Sequence, residues 1–475
     1  MSNSYKVLIY FLPVLVLLLS GCAGPAEVHK EVSSARDQAY LQWQAAKNRQ
    51  GNGEAVIDGP LSLDHAIITA LSNNRELQIV LEDNNVAKGR IIEAYEGVLP
   101  HVALEGSYTR QSEDSKTYQE TTYPLGEKNN YAGTISVTQP IYSGAATAAL
   151  RASHYYDALA NEQVKLAVQN TIFSTIQVYY QAILANEQLG VTKVYADLAE
   201  SHLKDVQTKR KYGTASDFNV LRSQVELSNA RSEMIRYGNE LHTARTNLFK
   251  IIGVSQESRV ELTDKLTYVP LSADEQQAIK DAFANRPDLA AAVLSEKLQR
   301  ESLNAAKSDY WPSVNAFYNH TLGKPDPYLA YYRNEWDDAW TAGIKVTVPI
   351  FDGLGRKGRV IQNRAELKKR QIEVLDTQEK ALFEVRGAIW SLQDSQQLVE
   401  TQKLSLVQAK EGLRIAEVGY REGSLDQVSV LDAQAALTQA QLLYYQSLYD
   451  HSMARVSLDL VKGTLEHTTT EEKAQ

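Results

Sequence analysis

Proline is absent from 141 to 269 and again from 350 to the C-terminus, although the chain contains 12 prolines. A proline inside a helix costs about 3 kcal/mol, so two gaps of this size mark long uninterrupted helices. Between Gly144 and Gly213, and between Gly353 and Gly423, Ala, Leu, Gln, Glu, Lys and Val dominate. A helix filling either stretch is about 100 Å long at about 1.5 Å per residue. Coiled coils use helices of that length and globular cores rarely do. Val385, Leu392, Val399, Leu406 and Leu413 recur every seven residues, with Leu382 and Ile389 interleaved. That is a heptad seam, and Gln396, Lys403 and Lys410 at its partner positions expect a wet surface along one side. Gly213 and Gly423 are placed for abrupt helix reversals, each followed by a further helix to Gly253 or Gly463.

The two gaps are halves of a repeat with a period near 210. Asn74-Arg75 matches Asn285-Arg286, Pro100 matches Pro312, and Pro140-Ile141 matches Pro349-Ile350. Gly144, Gly213 and Gly253 match Gly353, Gly423 and Gly463. Val220, Leu221, Gln224, Leu227 and Ala230 recur as Val430, Leu431, Gln434, Leu437 and Ala440. The first repeat covers 61–253 and the second 271–463, joined by a linker at 254–270 and followed by a polar tail at 464–475. Leu61–Leu99 and Leu271–Tyr310 read as helical.

Each half also carries two runs of alternating character, at about 101–110 and 131–139, then 314–322 and 340–348. Val102, Leu104 and Tyr108 oppose Glu105, Ser107 and Thr109, and Trp340, Ile344, Val346 and Val348 oppose Thr341, Lys345 and Thr347. The run from Val314 to Leu322 is the weakest, because Asn315, Phe317 and Asn319 interrupt it. Nine or ten residues is about what a tilted strand needs to cross a bilayer with one apolar and one polar face. Soluble hairpins alternate in the same way. Trp311, Tyr328, Tyr331, Tyr332, Trp336 and Trp340 favour a membrane interface, and the stretches Gln111–Asn130 and Gly323–Asp338 are polar and Tyr-rich, as exposed loops are. Four strands cannot close a barrel in lipid, where an open edge leaves backbone groups unpaired, so the chain must oligomerise.

Composition narrows the alternatives. With 49 Lys and Arg against 58 Asp and Glu, the net charge of −9 supplies no basic surface for nucleic acid. One cysteine excludes a disulfide framework. The 9 histidines lack ligand spacing, the nearest two being His451 and His467, so no metal or other cofactor is expected. Three methionines provide no thioether path for soft cations. The 26 tyrosines against 8 phenylalanines suit wet and interfacial surfaces.

At the N-terminus Lys6 precedes an apolar run from Val7 to Leu19, too short to span a bilayer but fitting a signal peptide over 1–21. Leu19-Ser20-Gly21-Cys22 resembles a bacterial lipoprotein signal, which implies acylation of Cys22 as the mature N-terminus and a lipid-anchored linker over 22–60. Ala23 stands where an aspartate would resemble an inner-membrane retention signal, which favours the outer membrane.

Taken with Leu61-Ser-Leu-Asp-His-Ala-Ile67, Asn285-Arg-Pro-Asp-Leu289, Tyr420-Arg-Glu-Gly-Ser424 and Val430-Leu-Asp-Ala-Gln434, the mature chain resembles the TolC-like outer-membrane efflux family, in its lipoprotein branch. The resemblance implies a mixed membrane protein: a homotrimer with a long α-helical coiled-coil barrel and a transmembrane β-barrel built from four strands per chain. It implies no enzyme activity. It implies an exit duct for a tripartite pump or type I secretion system, partnered by a periplasmic adaptor, an inner-membrane transporter and outer-membrane lipid. The helix tips, with Tyr212, Gly213, Tyr420, Arg421 and Gly423, correspond to the adaptor-docking end. Asp432 matches an acidic position lining the periplasmic gate. The family's other acidic position is Ser429 here, leaving Asp426 and Asp217 as sources of the missing charge. A lipid-anchored coiled-coil spacer or adhesin without a pore is the alternative, and it leaves the strand pairs unexplained.

Gly353-Leu-Gly355-Arg-Lys-Gly358 matches the dinucleotide fingerprint between a strand and a helix. The following helix is too long for a βαβ unit, and Ser143-Gly144-Ala145-Ala146 in the first half lacks the glycines. A tight strand-to-helix turn accounts for it.

Overall fold

The computed structural model describes residues 25–48, 56–110, 115–118, 121–124, 128–325 and 335–465. The signal segment, Cys22, Tyr328, Tyr331, Tyr332 and the tail beyond 465 lie outside the described residues. The order is α1 (Pro25–Asn48), β1 (Asp58–Leu61), α2 (Leu63–Asn73), α3 (Arg75–Ala94), β2 (His101–Arg110), β3 (Ser115–Tyr118), β4 (Thr121–Pro124), β5 (Asn129–Tyr142), α4 (Gly144–Lys211) and α5 (Asp217–Ile252). There follow β6 (Arg259–Leu262), α6 (Glu275–Asn285), α7 (Pro287–Ser308), β7 (Ser313–Lys324), β8 (Asp337–Thr347), α8 (Gly355–Glu422) and α9 (Gln427–Val461). Among the described residues no helix is long and apolar enough to cross a membrane.

Helices α4 and α8 each run 68 residues. All four long helices end in the same way, because a glycine in the left-handed region releases the chain. Gly213, Gly253, Gly423 and Gly463 have φ of 75°, 70°, 77° and 70°. In each case the next amide bonds back to a carbonyl of the last turn: Thr214 to Lys209 at 2.9 Å, Val254 to Phe249 at 3.0 Å, Ser424 to Gly419 at 2.8 Å and Thr464 to Asp459 at 3.0 Å. These bonds satisfy carbonyls that a helix end otherwise leaves without partners.

Gly253 and Gly463 do a second job. A Cβ on Gly253 would lie 2.5 Å from Asn73 O, and one on Gly463 would lie 2.7 Å from Asn285 C. Each glycine admits the break between two short helices, so the stretches 61–99 and 271–310 are not single helices. They divide at Asn74 and Arg286, whose backbones match closely (φ −63°, ψ 121° and φ −70°, ψ 119°). The equivalence is therefore Asn74 to Arg286, one residue from the alignment that the shared Asn-Arg pair suggests. Asn74 caps α3 through Leu77 N at 3.0 Å and donates to Ile251 O at 2.8 Å. Arg286 donates to Val461 O at 3.5 Å and pairs with Asp288 and Glu384 at 2.7 Å each. Burial opposes ionisation of Asp288, but Arg286 outweighs it and lowers the carboxyl pKa.

Around this level lies the main core: Leu61, Tyr179, Leu248, Ile252 and Val399 are almost fully enclosed. Strands β1 and β6 pair in parallel there, Asp58 opposite Arg259 and Leu61 opposite Leu262. The N-terminal linker and the inter-repeat linker thus meet in one small sheet.

The remaining strands form an antiparallel sheet in the order β2-β5-β7-β8. The registers align Leu104, Ile135, His320 and Trp340 in one row and Val102, Val137, Tyr318 and Ala342 in another. Glu105, Thr134 and Thr321 belong to the opposite face, as do Asn315, Asn319 and Lys345. Asn315 and Asn319 therefore obey the alternation, while Phe317 on the polar face and His320 in the apolar row depart from it. The Phe317 ring lies against Gly343, where a Cβ would come within 3.0 Å. Tyr108, Tyr131 and Trp336 cluster at the end of the sheet far from the long helices, with ring centroids 5.0 and 6.1 Å apart. Trp311 lies at the other end and is exposed.

Gly253→Ala combines left-handed strain with a backbone clash and is expected to cost about 2–5 kcal/mol. Gly423→Ala meets no atom within 4 Å and should cost about 1 kcal/mol. Calorimetric midpoints should fall several degrees further for the first, and equal losses would refute the packing role.

Candidate functional site

The two reversals at the far end of the long helices form a tip. Tyr212 ends α4 and is 80% exposed. Ser216 caps α5 by accepting from Asn219 N at 3.2 Å, and Asp217 in the first turn pairs with Arg210 across the reversal. On the other hairpin Tyr420 packs against Leu413, Ala416 and Val430. Lys209 Nζ of α4 sits 4.1 Å from the Tyr420 ring centroid, and the His202 ring lies 6.1 Å away. Burial, with the Lys209 charge, holds the His202 imidazole below its ordinary pKa. Arg421 and Gly423 are exposed at the turn.

Asp426 is the N-cap of α9. Its Oδ1 accepts from Ser429 N at 2.9 Å and Ser429 Oγ at 2.7 Å, and these bonds lower its pKa. Ser429 thus fastens the cap. Asp217 is held by Arg210 and Asp426 by its cap bonds, whereas among the described residues the one ion pair of exposed Asp432 is the longer contact to Arg222 Nη2 of α5 at 3.9 Å.

Arg222 escaped the sequence reading although the signal was present. The repeat that pairs Val220 with Val430 and Leu221 with Leu431 also pairs Arg222 with Asp432. Equivalent positions carry opposite charges and lie side by side. Gln427 was missed too, since nothing local marks a buried glutamine. Its Nε2 donates to Ser223 Oγ at 2.6 Å and Asn219 O at 3.4 Å, joining α9 to α5. An exposed pair such as Arg222–Asp432 is worth about 0–1 kcal/mol, so it can separate easily while the glutamine bridge keeps the helices together.

The glycine-rich turn before α8 is filled by its own chain. Arg356 donates to Pro349 O at 2.8 Å, Ile350 O at 3.1 Å and Asp309 O at 3.3 Å, and its backbone N–H reaches Asp352 at 2.8 Å. Among the described residues no group of three or more His, Cys, Asp or Glu could hold a metal.

Comparison with known proteins agrees with this architecture. The outer membrane efflux protein family matches residues 66–254 and 278–464. Nodulation protein T of Rhizobium leguminosarum bv. trifolii is 23% identical over 96% of this chain and 97% of its own. The outer membrane protein TolC of Vibrio cholerae is 19% identical over 83% of this chain and 89% of its own. Among solved structures, the Campylobacter jejuni CmeC outer membrane channel superposes with TM-score 0.74 at 15% identity, covering 86% of this chain and 88% of that one. The open state of the Neisseria gonorrhoeae MtrE channel gives 0.68 at 16% identity, covering 86% and 90%. The chain belongs to the outer membrane efflux protein family. It is an outer-membrane channel, an exit duct for efflux or secretion, and family members are channels rather than enzymes.

Gln427→Ala removes two hydrogen bonds and should loosen the tip by about 1 kcal/mol. Amide exchange in 213–230 and 424–434 should quicken roughly fivefold while the core around Tyr179 is unaffected. Unchanged exchange at the tip would remove Gln427 from this role.

Proposed function

We propose that three copies close head to tail into one duct, gated at the tip by Asp432 and Arg222. The carrying observation is an imbalance between the two repeats. Helix α4 packs against α5, α3 and α2, and in addition against α7 and α9. The repeat maps α5, α3 and α2 onto α9, α7 and α6, all of which pack against α8. It maps α7 and α9 onto α3 and α5, and among the described residues α8 packs comparably against neither. The α3 and α5 of a second copy fit that place.

Side chains carry the same imbalance. Ile172 and Tyr179 are 1% and 0% exposed on α4, whereas Phe383 and Trp390, 211 positions later, are 75% and 59% exposed. Leu431 is 4% exposed and its counterpart Leu221 is 61% exposed. The sheet follows the same logic, with β8 of one copy pairing with β2 of the next. Two copies give eight strands, whose interior side chains fill; three give twelve and leave a lumen.

In this assembly the helices form a periplasmic tunnel and the tips meet an adaptor that links the duct to an inner-membrane transporter. Three Asp432 carboxylates, each beside an Arg222, surround the narrowest ring. The carboxylates favour cations and the guanidinium groups temper that preference. Asp432→Ala should reduce cation selectivity and block by divalent cations added from the tip side, with conductance equal or higher. Arg222→Ala should increase cation selectivity. Planar-bilayer reversal potentials test both, and selectivity governed by Asp426 instead would move the gate toward the turn.

Acylation of Cys22 adds a second attachment beside the strands. Mass spectrometry of the mature protein should find a diacylglyceryl-modified N-terminal Cys22. Cys22→Ser should lose the lipid yet insert its barrel, and cleavage at another site would overturn the assignment.

A further inference from the structure

We infer that the first turns of α8 form a binding face for anionic glycerophospholipid headgroups of the periplasmic leaflet; this rests on the duct reading above, which fixes the orientation. Between 356 and 370 the chain carries Arg356, Lys357, Arg359, Arg364, Lys368, Lys369 and Arg370 against one acidic residue, Glu366. That segment opposes the charge of the whole chain. Four of the cations have partners. Arg356 pairs with Asp352 at 3.1 Å, Arg359 with Asp309 at 2.8 Å, Lys369 with Glu366 at 3.1 Å and Arg370 with Glu373 at 2.8 Å. Lys357, Arg364 and Lys368 are exposed and make no ion pair or hydrogen bond among the described residues.

These three share one side of the helix, being seven and four residues apart. Arg386, eight turns further on, occupies the same side and reaches Glu275 of α6 at 2.8 Å. A duct cannot hold α6 in its bore, so this side faces outward. It continues the lipid-facing surface of β8. The outward series from Trp340 through Ile344 and Val346 runs on to Val348 and Ile350, which are 56% and 91% exposed, and exposed Trp311 lies at the same end of the sheet. Apolar strand, interfacial aromatic and then unpaired cations is the sequence of chemistry found across a membrane boundary.

Arg364 and Lys368 lie about 10 and 17 Å below Lys357 along the axis, so with a headgroup layer about 5–7 Å thick Lys357 stands at the layer and the other two reach up toward its periplasmic side. Side chains on a helix lean toward its N-terminus, here toward the membrane, and long basic side chains extend their charge further that way. The first repeat has Ala146, Ser153 and Asp157 at the corresponding places on α4. The fold therefore does not require cations there.

The test uses the full-length trimer in phosphatidylcholine vesicles carrying trace spin-labelled phosphatidylglycerol or spin-labelled phosphatidylcholine. The motionally restricted fraction should show a roughly three- to fivefold preference for phosphatidylglycerol, the scale of one basic residue at an anionic surface. The preference should vanish near 1 M salt, where the Debye length is about 3 Å. K357Q/R364Q/K368Q should associate equally with both lipids at unchanged single-channel conductance. K357R/R364K/K368R should keep the preference, as should K403Q/K410Q further along α8. No preference in the unaltered protein, or an undiminished one in the triple glutamine variant, overturns the proposal. So does loss of the trimer in that variant, which would make the cations contacts between copies. Conductance is read separately, so failure of the duct reading registers apart from failure of the lipid face.

Discussion

Backbone hydrogen bonding along two strand edges governs the rest of the architecture. Among the described residues strand β2 pairs only with β5, and β8 only with β7. The outer edges of both leave amide and carbonyl groups that hydrocarbon cannot satisfy, at several kcal/mol for each group. In the proposed assembly, closure through further copies removes that cost, and the helices below the shared strands follow the same rotation. The faces of α5 and α8 that carry exposed Leu221, Phe383 and Trp390 are the surfaces which that rotation would cover. A protein whose membrane part is incomplete in one chain thus transfers the requirement for assembly to its periplasmic part.

The two ends of the long helices differ in how firmly they are held. At the level of Gly253 and Gly463 the backbones of different elements approach so closely that no Cβ fits, and Arg286 is enclosed by two carboxylates. At the tip the glycines face open space, and the Arg222–Asp432 pair spans 3.9 Å between exposed side chains. Screening and side-chain freedom keep such a pair weak. Firm packing at one level and weak polar contacts at the other suit a tube whose tip alone moves. The unpaired cations at the head of α8 belong to neither level. They fit an environment outside the protein, where an anionic surface supplies what the chain does not.

Much of this was legible in the residues because it depends on local rules. Proline-free stretches, glycine punctuation and the repeat spacing marked both long helices, and alternation marked the strands, since helix termination and strand polarity act over a few residues. Other features needed the fold. Asn315 and Asn319 look like faults in a strand until the register places them on the polar face and sets Phe317 over Gly343. The stretch 61–99 reads as helical throughout; its break at Asn74, which caps α3, is admitted by the close approach of Gly253, far away in the chain. Asp217 and Asp426 share the carboxylate chemistry of Asp432, and only the cap geometry and the Arg210 pairing distinguish them. By itself the sequence determined which segments are helix, strand and turn and that the design occurs twice. Tertiary structure alone decided which charges remain unspent, because that depends on which side chains from distant segments reach one another first.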